Sequence, residues 1–170
     1  TAQYGKGNDI IMLKSDQKYT SYIEVLKSEL VPAAGCTEPI AIAFAAAKAH
    51  SVLGKLPEKV VIYVSGNIIK NVKSVVVPNT GGLRGIEAAA AAGIAAGDAS
   101  KVLEVIADVD ENGKQRILDF LKLHNIIVRP ADNDLVFDID LTVFAGSDSV
   151  RIRIIDYHTN IVLIEKNGEV

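Results

Sequence analysis

Apolar positions recur along this chain with two different periods. Tyr22, Ile23, Leu26 and Leu30 are three to four residues apart, so residues 18–30 are predicted to form an amphipathic helix that Pro32 halts. Residues 40–53 are mostly alanine with larger apolar side chains interspersed, a second helix that Gly54 ends. Residues 59–64, Lys-Val-Val-Ile-Tyr-Val, read as a strand covered on both faces. Residues 68–73 fit a helical turn or a strand equally, and Val75 to Val77 form an extended run closed by Pro78. The alanine-rich residues 86–96 predict a buried helix, because small side chains let neighbours approach closely. Residues 100–106 and 114–123 predict two more short helices, separated by Asp110-Glu111-Asn112-Gly113.

From residue 135 the period becomes two. Leu135, Phe137, Ile139, Leu141 and Val143 alternate with Val136, Asp138, Asp140 and Thr142. After the turn Gly146-Ser147-Asp148-Ser149, Val150, Ile152 and Ile154 alternate with Arg151 and Arg153. Pairing the two runs as a hairpin puts Asp140 and Arg153 on one polar face, opposite or diagonal to each other. Residues 161–165 make a further strand. The expected fold is α/β, of the α+β kind: an antiparallel meander with one further strand, packed against alanine-rich helices. Residues 1–17 read as an irregular leader, with Met12 as a native start and a vector-derived stretch before it. Residues 18–170 read as a single domain. Asn167-Gly168 is a strong hairpin signal with only two residues after it, which is the pattern of a cut chain.

Chemistry concentrates at Ala33-Ala34-Gly35-Cys36-Thr37-Glu38-Pro39, which holds the only cysteine. Thr, Glu and Pro cap, charge and pre-shape a helix start. A cysteine there faces unpaired N–H groups and the positive end of a helix dipole, which favour the thiolate. A small buried residue at a tight turn is the other reading of Cys36. The Gly81-Gly82-x-x-Gly85 turn, with Arg84, is a plausible anion cradle before a helix. It lacks the first glycine of a dinucleotide fingerprint and the Lys-Ser/Thr of a Walker loop. Ser65, Asn67, Lys70 and Asn71 lie in polar breaks where they could bind a small polar substrate or simply face water. His50 and His124 sit near helix C-termini and read as structural. His158, between Tyr157 and Thr159, is the histidine suited to act as acid, base or ligand.

Composition removes other classes. The net charge of −3 is spread evenly and aromatic residues are 5%, so no nucleic-acid footprint is seen. No apolar run approaches the ~20 residues of a membrane span. One cysteine precludes an internal disulfide, and the default compartment is the cytoplasm.

Four segments occur together: Val31-Pro32-Ala33-Ala34-Gly35-Cys36-Thr37-Glu38-Pro39-Ile40-Ala41, Gly66-Asn67-Ile68-Ile69-Lys70-Asn71, Val77-Pro78-Asn79-Thr80-Gly81 and His158-Thr159-Asn160-Ile161. In that order they resemble the N-terminal part of the L-serine dehydratase alpha-chain-like family, its L-cysteine desulfidase branch. The resemblance implies an oxygen-sensitive lyase with a [4Fe-4S] cluster, whose open iron acts as a Lewis acid while a base takes the α-proton. The products are pyruvate, ammonia and, from L-cysteine, sulfide. It implies Cys36 as one cluster ligand, with the others in a missing C-terminal half or a second subunit, so that this chain alone is inactive. Asn67, Lys70, Asn71, Asn79, Thr80, Gly81, His158 and Asn160 are the expected substrate-proximal positions, in a protein expected to be homo-oligomeric. The alternatives are a non-catalytic domain binding a small carboxylate at the Gly81–Gly85 turn, and a cluster-free enzyme with Cys36 as nucleophile. L-cysteine and L-serine are not distinguished as substrates.

Overall fold

The computed structural model describes residues 14–30, 32–33 and 35–170. Most of the leader expected over 1–17 lies outside the described residues. The chain divides into two compact units, residues 1–31 and 32–170. In the first, α1 (Gln17–Glu29) follows the predicted helical spacing and ends where Leu30 turns extended while its N–H still donates to the Leu26 carbonyl.

The second unit is mixed α/β. Its elements are α2 (Thr37–Leu53), β1 (Lys59–Val64), α3 (Gly66–Val72), α4 (Gly85–Ala96), a 3-10 turn (Ala99–Glu104), α5 (Glu111–Leu123), β2 (Asn125–Pro130), β3 (Asp138–Ala145), β4 (Asp148–Ile155) and β5 (Ile161–Lys166). The sheet order is β2-β1-β3-β4-β5. β3, β4 and β5 form the expected antiparallel meander, β1 is the further strand beside β3, and β2 runs parallel to β1.

One face of the sheet is apolar. Val60, Ile62 and Val64 of β1 line up with Ile139, Leu141 and Val143 of β3 and with Val150, Ile152 and Ile154 of β4, all fully buried. α2 packs over β3 and β4, and α4 packs against α2 and α5. The alanines of α2 and α4 permit that contact. At Gly93 a Cβ would overlap the backbone of Ala43, so glycine is required where the two helices meet.

Several expectations change. β1 is covered on one face only, since Tyr63 is 47% exposed. The ambiguous segment after β1 is helical because Ser65, at its N-cap, accepts the Ile68 N–H and donates to the Val136 carbonyl. The helix expected over 100–106 is a 3-10 turn broken at Val102, whose φ is 51°. β2 was not expected. It is an edge strand, half exposed and closed by Pro130, so it carries neither alternation nor a long apolar run.

Candidate functional site

The N-terminus of α2, the last turn of α3 and the loop between β4 and β5 converge on Glu38. Cys36 is the N-cap of α2 and is exposed. Its side chain makes no N-cap hydrogen bond to the helix. Its thiol instead donates to Glu38 Oε2 at 3.3 Å. The Thr37 hydroxyl donates to the same oxygen at 3.5 Å, and Asn71 Nδ2 donates to Oε1 at 3.4 Å. Gly35 lies so close to Pro78 that a Cβ would stand 2.6 Å from its ring, which brings the loop around Pro78 against the turn before Cys36. His158, in the β4–β5 loop, lies near enough for its charge, when protonated, to lower the Glu38 pKa. Phe137 supports the imidazole edge-on, the ring centroids 4.6 Å apart.

These contacts reverse the thiolate expected at Cys36. Partial burial, the hydrogen bond to Glu38 and the negative charge of Glu38 together raise the thiol above its ordinary pKa, outweighing the helix N-terminus. For Glu38, partial burial raises the carboxyl. Its own backbone N–H, the Cys36 thiol, the charge of His158 and the Asn71 amide outweigh that and hold it below the usual carboxylate value. The site at neutral pH is a protonated thiol donating to an ionised carboxylate. The alternative of a buried Cys36 is excluded by its exposure.

Other expected positions have different surroundings. Asn67 and Lys70 are exposed on α3, with Asn67 one turn before Asn71. Asn79 adopts φ 57° and donates both amide hydrogens to the carbonyls of Ile106 and Ala107, at 3.1 Å each. Thr80 is buried and donates to the Val77 carbonyl at 2.7 Å. Gly81 is exposed with φ 75°, followed by Gly82 at 95° and Gly85 at 92°, conformations that only glycine adopts without strain. Arg84 is tied to the Ser74 carbonyl at 2.6 Å. Asn160 closes its own loop by donating to the Ile155 carbonyl. His50 and His124 stand apart. His50 bonds the Ile94 carbonyl in the last turn of α4, and His124 stacks on Phe120 with ring centroids 4.5 Å apart. The cavity of about 200 Å³ lined by Leu56, Ala95, Arg116, Phe120 and His124 shares no residue with the Glu38 cluster.

The residue that sequence reasoning passed over is Glu38. Its Cys-x-Glu spacing was visible, but a glutamate in a first helical turn reads as dipole complementation. Phe137 was assigned to a strand and gave no signal of its contact with His158.

Among the described residues no group of three or more His, Cys, Asp or Glu is placed to hold a metal. A [4Fe-4S] cluster is held mainly by cysteine thiolates. This chain has one cysteine, so its own residues do not fit that group.

The arrangement defines a mixed α/β domain that presents a thiol, a carboxylate and an imidazole on an exposed surface. The chain is 58% identical, over 95% of its length, to a UPF0597 protein of Desulfitobacterium hafniense, of which the match covers 37%. It is 44% identical over 90% of its length to a UPF0597 protein of Treponema denticola and 49% identical over 88% to one of Finegoldia magna, in each case covering 36% of the relative. The chain thus spans about a third of the length of the curated relatives it matches. No family model and no solved structure matches it. These relatives correct the family expected from Gly-Cys-Thr-Glu-Pro and Pro-Asn-Thr-Gly. They carry the UPF0597 name and not that of a serine dehydratase or cysteine desulfidase. Both motifs have local structural roles here, a helix start and a tight turn. No helix among the described residues is long and apolar enough to cross a membrane.

Proposed function

We propose that this domain is part of a cytoplasmic amino-acid lyase that eliminates sulfide from L-cysteine, or water from L-serine, with release of ammonia and pyruvate. In this reading a base takes the α-proton as the β-substituent departs. The resulting enamine tautomerises to an imine, and water hydrolyses it to pyruvate and ammonia. The observation that carries the reading is the convergence of Cys36, Asn71 and His158 on the Glu38 carboxylate. Glu38, ionised at neutral pH and exposed on one side, is suited to accept a proton. The Asn71 amide holds it in place, and Asn67 and Lys70, exposed on the same helix, can bind the carboxylate of a small amino acid. The first amides of α2 add a positive potential.

The site takes its remaining parts from polypeptide outside this chain, either the rest of a longer protein or a second subunit, in a homo-oligomer. The chemistry attributed to an iron–sulfur cluster would need thiolates from there, and none of the steps above runs through it. The test is an anaerobic assay of the full-length Desulfitobacterium hafniense relative for pyruvate from L-cysteine and L-serine, before and after treatment with iron and sulfide. Pyruvate is expected from one of them, and none from this domain alone. Absence of pyruvate under every condition overturns the reading.

The left-handed backbone at Gly81, Gly82 and Gly85, leading into α4, favours one second reading, a domain that binds a small carboxylate without chemistry. It predicts measurable heat on titrating this chain with an amino acid or keto acid, and no pyruvate from the longer protein.

A further inference from the structure

β5 is one edge of the sheet, and the chain beyond it already turns back along its open side. Lys166 donates its N–H to the Glu169 carbonyl at 2.8 Å and accepts the Glu169 N–H at 3.0 Å. The reversal is a two-residue loop with Asn167 at φ 54° and Gly168 at φ 86°, the pair of left-handed residues that a type I′ hairpin requires. β4 anchors this turn. The Asn167 N–H donates to the Ser149 carbonyl, Asn167 Oδ1 accepts the Ser149 N–H at 2.8 Å, and Asn167 Nδ2 reaches Asp148 at 3.2 Å.

Backbone groups alternate sides along a strand. Since Lys166 faces outward, Ile164 two residues earlier presents its N–H and carbonyl to the same open edge. Its side chain is 37% exposed and that of Val162 is 47% exposed. An edge with exposed apolar side chains and free backbone groups is a template for a further strand. The match to the Desulfitobacterium hafniense protein leaves more than half of that relative outside it.

We propose that the open edge of β5 is a docking site for an antiparallel strand, and that in the longer relatives the occupant is polypeptide from outside the matched third, following the path that the Asn167-Gly168 turn sets. The strand would hydrogen-bond Ile164 and cover the Val162 and Ile164 side chains, completing a six-stranded sheet. The proposal is independent of the lyase reading, because no residue of this edge touches the Glu38 cluster.

Residue-resolved hydrogen exchange tests it on two proteins, this chain and the full-length Desulfitobacterium hafniense relative. The amide at the Ile164 position is expected to exchange at least about 10-fold more slowly in the relative, while the paired amides of β4 exchange alike in both. Equal exchange at that position in the two proteins overturns the proposal. Protection in this chain that grows with its own concentration also overturns it, because the occupant is then a second copy.

Discussion

The Arg153 guanidinium passes over its register partner Asp140 and closes on Asp138, two residues along β3. Nε and Nη2 each lie 3.0 Å from a carboxylate oxygen. Asp140 is taken instead by Arg151, at 2.8 and 2.6 Å. Both pairs are therefore diagonal, and both are bidentate forks, the strongest geometry open to arginine and carboxylate. Asp138 is 1% exposed and also accepts from Asn133 Nδ2 at 2.7 Å.

The two diagonals are not equal in strength. Arg153→Ala strands a buried carboxylate, and the loss is expected to be about 3 kcal/mol. Arg151→Ala leaves Asp140 partly hydrated and should cost about 1 kcal/mol. Urea denaturation of both variants measures the difference, and equal losses would show that burial of Asp138 is not what sets the scale.

Gly93→Ala is expected to destabilise even though alanine is the better helix former. Propensity favours the substitution by about 1 kcal/mol. The new Cβ would overlap the Ala43 backbone, which cannot rotate away, and overpacking costs about 1–3 kcal/mol or more. A net loss of about 2 kcal/mol should appear in the denaturation midpoint.

His50 makes stability depend on pH. Burial lowers its pKa below the ordinary value, against the hydrogen bond to the Ile94 carbonyl, which raises it. Above the unfolded pKa of about 6.5 both states are neutral and the contribution is fully present. As pH falls below that value the unfolded chain takes the proton first, so stability declines until the folded pKa is passed. Thermal melts from pH 7.5 to 5.5 should show a smaller drop in Tm for His50→Gln than for the wild type.

Glu38→Gln should make Cys36 more reactive. Removing the carboxylate charge lowers the raised thiol pKa, so alkylation by iodoacetamide at pH 7.5 is expected to rise about 5-fold. Cys36 is the only cysteine, so the labelled mass reports it alone. An unchanged rate in a folded variant would remove Glu38 as the cause.

Local periodicity alone determined much of this protein. The alternation from Ile139 to Ile154 specified the β3–β4 hairpin and its buried face, and the alanines of α2 and α4 announced two closely packed helices. Both signals are repeats along the chain, which side-chain direction converts directly into faces. Only the tertiary structure decided that Asn125–Pro130 pairs in parallel with β1, because an edge strand ending in proline carries no pattern of its own. It also decided that Arg153 pairs with Asp138 and not with its register partner Asp140. At the Glu38 cluster the helix start was legible but the charge state of Cys36 was not. A dipole at a helix end is a local property, whereas the partial burial that outweighs it, together with a carboxylate held in place by Asn71, depends on what long-range folding brings to it.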